Sequence, residues 1–313
     1  MQKKALILTD GKAGHENQSK AFARMLGCEF DIEGVSFRSR FAKALSYLAD
    51  AFSVRTLRLF KEERCLREIC GRGGYGVVIG TGSGTFYAAK VLARRMGVKC
   101  GVVLYPRGYS IASFGCIMAP AIDRPPALRN VIEIPANLVA NDAAFYAAGV
   151  EAFRQRHSPG ERKAVAVIVG GPNRCSTMTA GWMRSKIDEI FAATPDCEHW
   201  VTTSRRTPED VEAVVDSYPW DYKLIYSRDR FNPIPAFVAL SSRLYVTAES
   251  TGMLSESCTC GKAEVHALDN LKAGDHKFRR FLDSLAAGGY VGASRKVDLS
   301  CAIVEARALL GFG

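Results

Sequence analysis

The chain has 313 residues, of which 48% are hydrophobic and 24% are charged, and its formal net charge is +10. These values exclude a disordered or collagenous protein, and the length exceeds what one hydrophobic core usually supports, so we expect two domains. The positive balance favours an anionic partner of some kind.

Targeting signals and metal-binding motifs are absent from the sequence. No apolar run approaches the roughly 20 residues of a membrane-spanning helix, and the first apolar run is too brief and too soon polar for a signal peptide. The ten cysteines are scattered from Cys28 to Cys301, without a CxxC pair or histidine partners at zinc spacing. We therefore expect reduced thiols in a cytoplasmic protein that has no metal site and no cofactor.

The first half of the chain alternates strand-like and helix-like segments. Apolar runs of four to eight residues separated by helices predict parallel strands, buried on both faces of a doubly wound sheet. The predicted strands are residues 4–9, 30–37, 75–80, 98–105, 116–118 and 131–134. The predicted helices are residues 17–26, 40–70, 86–96 and 143–157, the last of which closes this half.

Residues 38–72 carry half of the excess positive charge, with nine basic and four acidic residues. Four apolar residues recur there at helical spacing, which predicts an amphipathic helix with a basic outer face. They are Phe41, Leu45, Leu48 and Phe52. Such a face would lie on anionic lipid headgroups, peripheral to the inner membrane, or would bind a phosphorylated acceptor. A helix that is merely solvated is the alternative interpretation.

The second half begins after residues 158–163, the most linker-like stretch of the chain. Its predicted strands are residues 164–169, 200–203, 223–226, 244–247 and 263–268, and its predicted helices are residues 179–193 and 208–218. The predicted fold is α/β, with two doubly wound, Rossmann-like parallel-sheet domains that face a cleft. We place these domains at residues 1–157 and 164–313, with the last helix as a candidate to pack back on the first domain.

Loops that leave the carboxyl ends of such strands are the expected ligand sites. The first loop contains Gly11 and Gly14, which let the backbone approach a ligand on the acceptor side. Histidine changes charge nearest neutral pH, so His15 is the candidate base for an acceptor hydroxyl, with Asp10 orienting it. A purely structural histidine is an equal alternative.

A second glycine-rich turn, residues 80–85, also precedes a helix, and its candidates for the acceptor side are Gly82 and Ser83. This turn lacks the GxGxxG spacing of a dinucleotide site, and the GxxxxGK[ST] pattern is absent. Close packing on the acceptor side and phosphate binding through backbone amides both fit it.

Three turns of the second half are candidates for binding a nucleotide-diphosphate donor. Adjacent arginines suit phosphate oxygens, and a carboxylate one turn into a helix can accept both hydroxyls of a ribose. A solvated arginine pair and serines that only cap the helix are the alternatives. The candidates are Gly170, Gly171 and Asn173 in the first turn, Ser204, Arg205 and Arg206 in the second, and Ser250, Thr251, Met253, Ser255 and Glu256 in the third.

At these residues the chain resembles the bacterial relatives of the plant elongated-mitochondria fission factor. The matching pieces are DGKAGHENQS (10–19), GGP (170–172), TTSRRTP (202–208) and VTAESTGMLSES (246–257). The resemblance implies a glycosyltransferase of GT-B type. That family commonly has aspartate where this chain has Glu249, which leaves the role of Glu249 open.

A more distant resemblance, to the lipid-linked glycosyltransferase of peptidoglycan synthesis, rests on the Gly14-His15 pair at the end of a glycine-rich opening. It implies that Glu256 holds the nucleotide ribose.

Together these features predict a metal-independent, inverting glycosyltransferase that moves a sugar from a nucleotide-sugar to an acceptor that the sequence does not identify. A nucleotide-sugar epimerase of the same fold is one alternative. A non-catalytic interaction protein, related to the fission factor, is the other. We expect no nucleic-acid partner, because the chain has no helix-turn-helix, zinc-finger or aromatic RNA-binding motif.

Overall fold

The computed structural model describes residues 4–312, which form two compact units. Within these residues, unit 1 takes in the chain up to Ile134, Leu138–Ala140 and the residues from Asp298 onward. Unit 2 takes in Pro135–Asn137 and Asn141–Val297. The division therefore differs from the predicted boundaries, since the helix that was expected to close the first domain belongs to unit 2.

Unit 1 alternates strands and helices, and its six strands are parallel. The strands are β1 (Lys4–Thr9), β2 (Phe30–Gly34), β3 (Tyr75–Thr81), β4 (Lys99–Val103), β5 (Cys116–Pro120) and β6 (Val131–Ile134). The helices are α1 (Ala13–Met25), α2 (Arg40–Ala51), α3 (Glu63–Arg72) and α4 (Phe86–Met96), with short 3-10 turns at Ile111–Ser113 and Ala121–Asp123.

The strand order of unit 1 is β2-β1-β3-β4-β5-β6. Strands are added on one side of the β1/β3 pair and then on the other, which makes this pair the topological switch point of the sheet. Loops that leave the two carboxyl ends at a switch point diverge, and the crevice between them is where such sheets bind ligands. His15, in the first turn of α1, follows the loop after β1, and Gly82 lies in the loop after β3.

Unit 1 has its core around this sheet. Residues 5–8 of β1 are at most 1% exposed, and α1 and α4 both pack against β3. In α4, residues 86–93 are all buried, including the cation of Lys90, whose Nζ lies 2.6 Å from Oδ1 of Asp50 in α2. Since a buried charge is tolerated only with a partner, this pair fixes α2 against α4.

Unit 2 repeats the alternation with five parallel strands. Its helices are α5 (Ala143–Arg154), α6 (Ala180–Ala193), α7 (Glu209–Asp216), α8 (Ile234–Leu240), α9 (Thr251–Thr259) and α10 (Lys277–Ala287). Its strands are β7 (Ala164–Ile168), β8 (Glu198–Thr202), β9 (Tyr222–Leu224), β10 (Arg243–Thr247) and β11 (Glu264–Leu268). The chain then returns to unit 1, where α11 (Ser300–Leu310) packs against β4, β5 and β6.

The strand order of unit 2 is β11-β10-β7-β8-β9, so its switch point is the β7/β10 pair. An aromatic cluster accounts for the position of α5 in this unit. The ring of Phe153 in α5 is buried 5.1 Å from Trp200, 4.7 Å from Tyr222 and 5.9 Å from Phe237. Such ring pairs stabilise a contact beyond the area they bury.

The predicted helix at residues 40–70 is instead two helices, α2 and α3. The chain leaves α2 through Ser53, whose φ of +56° is incompatible with a continuing right-handed helix. Residues 52–62 are irregular except for an antiparallel bridge between Phe37 and Phe60. Leu57 and Phe60 are fully buried in this segment. Their spacing in the sequence resembled that of a helix, although residues 52–62 do not form one.

The outer face of α2 is apolar, and the prediction of a basic outer face was wrong. Phe41 is 76% exposed and Leu48 is 58% exposed, and Phe52, which follows the helix, is 80% exposed. The buried residues of α2 are Ala42, Ser46 and Asp50. The helix turns its polar side inward because Asp50 pairs with Lys90 and the Ser46 hydroxyl bonds to Tyr109 Oη, 2.8 Å away.

No helix in residues 4–312 is both long enough and apolar enough to cross a bilayer. The ten cysteines are all free thiols.

Candidate functional site

The switch point of unit 1 holds an aspartate–histidine pair. Asp10 follows β1, and His15 lies in the first turn of α1. His15 Nδ1 is 3.1 Å from both carboxylate oxygens of Asp10, and the two side chains are 22% and 10% exposed. The contact that the sequence predicted between these residues is therefore present.

The charge state of Asp10 decides which nitrogen of the neutral His15 ring carries the proton. Burial acts to raise the pKa of Asp10, but the hydrogen bond from Lys12 Nζ, at 3.1 Å, and the positive neighbours outweigh it, so this pKa lies below its ordinary value. An ionised Asp10 accepts the Nδ1 proton of His15, which leaves Nε2 as the basic atom of the ring. The pair can thus remove a proton from a hydroxyl placed at Nε2.

Glycines after β3 allow the second loop to contact this pair. A β-carbon at Gly82 would lie 2.4 Å from His15 Cε1, and one at Gly84 would lie 2.7 Å from Asp10 Cβ. Gly82 also has a φ of +80°, which favours glycine. Its neighbour Ser83 accepts a 2.8 Å hydrogen bond from Lys43 Nζ, a lysine of α2 that the sequence did not single out.

The other two glycines predicted for the acceptor side are Gly11, in the loop after β1, and Gly14, in the first turn of α1. Gly11 has a φ of +79°, so it has the conformational reason for glycine that the prediction assumed. Gly14 lies within α1, and a β-carbon there would meet no atom within 4 Å.

The switch point of unit 2 is held together by the carboxylate of Glu249, which is 2% exposed. Its Oε1 accepts from Gly171 N at 2.7 Å, and its Oε2 accepts from Asn270 Nδ2 at 2.7 Å. Gly170 N donates to Thr247 Oγ1 at 2.8 Å. Glu249 therefore joins the turns that follow β7, β10 and β11, a structural role that the sequence left open.

This arrangement also restricts what the first donor turn can do. The amides of Gly170 and Gly171 both donate within the protein, so they hold the turn in place instead of presenting free donors to a ligand. A β-carbon at Gly171 would lie 2.2 Å from the carbonyl oxygen of Arg206, which shows how closely the turns after β7 and β8 pack. Asn173 closes its own turn by accepting from Cys175 N at 2.8 Å.

A cavity of about 310 Å³ opens at the carboxyl edge of this sheet. Its lining includes Arg205, Arg206 and Arg230, none of which forms an ion pair with a residue in the described part of the chain. Three guanidinium groups without a carboxylate partner favour an anionic ligand, and their geometry suits phosphate oxygens. Two other predicted donor residues, Ser204 and Met253, also line the cavity.

The loop between β9 and α8 contributes the part of this cavity that the sequence analysis missed. Arg230 and Phe231 lie there, next to Asn232 and Pro233. The signal was available, because residues 223–226 were predicted as a strand and the Asn-Pro pair after it marks a loop. A loop after a predicted parallel strand lies at the same edge as the other candidate turns.

The residues around the start of α9 have partners within unit 2. Ser250 is the residue before the helix and Thr251 is its first residue, while buried Ser255 accepts from Asn137 N at 3.1 Å. Glu256 Oε1 accepts from Asn141 Nδ2 at 2.8 Å and from Tyr146 Oη at 2.9 Å. Burial, and then the Glu256 carboxylate, raise the pKa of Tyr146, so this hydroxyl stays a donor.

Only one oxygen of the Glu256 carboxylate, which was predicted to hold a ribose, accepts hydrogen bonds from the described residues. No hydrogen bond from residues 4–312 reaches the second oxygen of Glu256, Oε2. Groups of three or more histidine, cysteine or acidic side chains that could hold a metal ion do not occur among the described residues.

Several solved structures share this fold. MurG of Acinetobacter baumannii is 11% identical with a TM-score of 0.52, over 99% of this chain and 93% of that one. A UDP-GlcNAc 2-epimerase from Neisseria meningitidis bound to UDP-GlcNAc is 14% identical with a TM-score of 0.50, over 98% and 91%. A UDP-glucosyltransferase from Polygonum tinctorium is 8% identical with a TM-score of 0.50, over 100% and 92%. The fold is therefore of the GT-B type.

Sequence comparison identifies the family. An uncharacterized protein of Rickettsia prowazekii (strain Madrid E), RP120, is 31% identical over 140 residues, which are 41% of this chain and 38% of that protein. The match thus spans well under half the length of this relative. The mitochondrial fission ELM1 family matches residues 13–301. Since this match takes in most of the sequence, the chain belongs to the mitochondrial fission ELM1 family.

Proposed function

We propose that this protein is a glycosyltransferase that binds a nucleotide-diphosphate sugar in unit 2. The observation that supports the proposal most directly is the cavity lined by Arg205, Arg206 and Arg230. A diphosphate supplies the anionic partner that these arginines do not have among the described residues. The cavity also lies beside the switch point, which is where folds of this kind bind their ligands. A protein of the same fold is bound to UDP-GlcNAc, which supports a nucleotide sugar as the donor.

In the proposed reaction, His15 Nε2 takes the proton of an acceptor hydroxyl, and Asp10 stabilises the imidazolium that forms. The acceptor oxygen forms a bond to the anomeric carbon as the bond from that carbon to the diphosphate breaks. The arginines stabilise the negative charge that develops on the leaving nucleoside diphosphate, so the step needs no metal. A single displacement of this kind inverts the configuration of the sugar.

A thermal-shift screen against nucleoside diphosphates and their sugars tests donor binding. A ligand at about 100 times its dissociation constant adds roughly 2.7 kcal/mol to the free energy of unfolding. A selective shift would identify the nucleotide. The absence of a shift with every nucleotide would contradict the proposal and favour a non-catalytic interaction protein.

An epimerase is the second candidate, because UDP-GlcNAc 2-epimerases have this fold. The donor that gives a thermal shift should be incubated with the protein alone and its sugar then analysed. A transferase leaves most of the donor intact, and sugar appears on a product only after an acceptor extract is added. Conversion of the free donor to its epimer would show the second function instead.

The predicted contact between Glu256 and the ribose has a separate test. If Oε2 binds the ribose, Glu256→Ala weakens the thermal shift with a ribonucleoside diphosphate more than the shift with its 2′-deoxy counterpart. If Glu256 serves only Asn141 and Tyr146, the variant lowers the melting temperature but leaves both shifts unchanged. Tyr146→Phe is the matched control, since it removes one of those partners and keeps the carboxylate.

A further inference from the structure

We propose that the outward face of α2 docks on the surface of an anionic lipid bilayer. This apolar face consists of Phe41, Ala44, Leu45, Leu48, Ala51, Phe52 and Val54. The proposal rests on the composition and orientation of α2 and on the charges around it, and it does not depend on the proposed transferase activity.

The apolar face is unlike the outer face of a helix that meets only water. Six residues of α2 are exposed, and only one of them, Arg40, is charged. The exposed side chains include Phe41 at 76% and Leu48 at 58%, and the segment that follows adds Phe52 at 80%. Contiguous exposed apolar side chains of this size mark an interaction surface.

The contacts on the inner side of α2 fix this orientation. Asp50 is paired with the buried Lys90, at 2.6 Å, and its Oδ2 also accepts from Ser110 N at 2.7 Å. Rotating the helix to bury the phenylalanines would expose this pair and leave a charge in the core without its partner. The contacts of Asp50 therefore hold the polar side of α2 inward and leave the apolar face outward.

Basic side chains accompany the apolar face. Arg40 lies in α2, and Arg58 and Lys61 lie in the segment after it, and none of the three forms an ion pair with any residue in 4–312. The acidic residues of this region have partners of their own: Asp50 binds Lys90, and Glu63 binds Arg67 at 2.7 Å. The surface therefore combines exposed apolar side chains with unpaired positive charge.

This combination favours a bilayer over a second copy of the chain. A symmetric dimer through the apolar face would place Arg40 and its basic neighbours near their own copies, and like charges oppose such contact. Anionic headgroups attract these charges, and acyl chains accept the phenylalanine and leucine side chains. A helix of 12 residues is too short to span a membrane but can lie in the interface plane.

The test measures how the full chain binds vesicles of phosphatidylcholine with and without phosphatidylglycerol. We expect clear cosedimentation only with phosphatidylglycerol, weakening as salt is added. Phe41→Ser and Phe52→Ser should each weaken partitioning about tenfold, without lowering the melting temperature, because both side chains are exposed. The matched control is Val304→Ser in α11, which removes a valine that is 68% exposed and should have no effect.

Charge variants and an insertion probe complete the test. Arg40→Gln and Lys61→Gln should each weaken binding about fivefold, whereas Lys262→Gln, on the exposed surface of unit 2, should not. Emission from Phe52→Trp should shift to the blue with anionic vesicles and be quenched by brominated lipid, and emission from Val304→Trp should not. Vesicle binding that is absent, or unchanged by Phe41→Ser, would overturn the proposal. So would a dimer in light scattering that Phe41→Ser dissociates, since the occupant would then be a second copy.

Discussion

Each sheet has one switch point, but the strand orders differ, and so do the loops that lie beside the two switch points. In unit 1, Gly82 and Gly84 lie so near His15 and Asp10 that a β-carbon would come within 3 Å of either side chain. In unit 2, the neighbouring loops leave a cavity of about 310 Å³ lined by three arginines. Close packing fixes the position of the His15 ring, whereas an open cationic cavity suits a large anion. In the function proposed above, one unit supplies the base and the other binds the donor.

The largest effect is expected when His15 is replaced, and it is on the rate of sugar transfer. His15→Ala should lower the turnover number about 100-fold to 10,000-fold, the range for removing a general base, and leave the donor-induced thermal shift unchanged. The measurement is initial transfer rate beside thermal shift with the same donor. His266→Ala, in β11 of unit 2, is the matched control and should keep most of the rate. Loss of donor binding in His15→Ala would break the division of roles.

The reverse result is expected from the cavity of unit 2. Replacing Arg205 and Arg230 together with glutamine should weaken binding of the nucleoside diphosphate by about 100-fold or more, because each guanidinium can form charge-assisted hydrogen bonds to phosphate. Titration calorimetry measures the dissociation constant. Arg94→Gln, an exposed arginine of unit 1, should leave it unchanged. If Arg94→Gln weakened nucleotide binding as much as the double variant, net charge, and not this cavity, would attract the nucleotide.

Close packing also occurs in unit 2, under the turn after β7. Gly171→Ala places a β-carbon 2.2 Å from a backbone oxygen, so it should lower the free energy of unfolding by about 1–3 kcal/mol. Gly181→Ala in α6 meets no atom within 4 Å and should raise it by about 0.5 kcal/mol, since alanine favours a helix. Urea unfolding of the two variants gives both values. If Gly171→Ala left the free energy of unfolding unchanged, the turn that Glu249 holds would not be rigid.

The smallest effect concerns the charge of Asp10. Because the pKa of Asp10 is lowered on folding, the ionised group stabilises the protein above its ordinary value of 3.8, and this contribution is lost as the pH falls through the folded value. The melting temperature of the wild type should therefore exceed that of Asp10→Asn at neutral pH, and the difference should shrink in acid. A difference that grows as the pH falls would have the wrong sign and would contradict the charge state assigned to the pair.

The order of elements was largely predictable because buried parallel strands produce short apolar runs. The strand at Lys4–Thr9 and the helix at Phe86–Met96 have the predicted bounds, and both are buried enough for their composition to follow their position. The boundary between units was not predictable from the linker-like residues 158–163. It depends on Phe153, which packs with three aromatic rings that come from distant parts of the sequence.

The candidate site was predictable where chemistry and loop position coincide. Asp10 and His15 are close in sequence, and a strand end followed by a helix start brings them together. The partners of Glu249 were not accessible in this way, since Gly171 and Asn270 approach it only through strand pairing. The orientation of α2 was missed for a related reason, because its polar side is held by a lysine 40 residues along the chain, Lys90.

Lys43 links two features that are otherwise separate. It lies on α2, and its ammonium group reaches Ser83, the neighbour of Gly82, where a β-carbon would clash with His15. On the proposals made above, one helix would rest on lipid and also support the catalytic loop. An acceptor confined to the plane of that membrane would then reach the base by a two-dimensional search, so its surface density would set the rate of encounter.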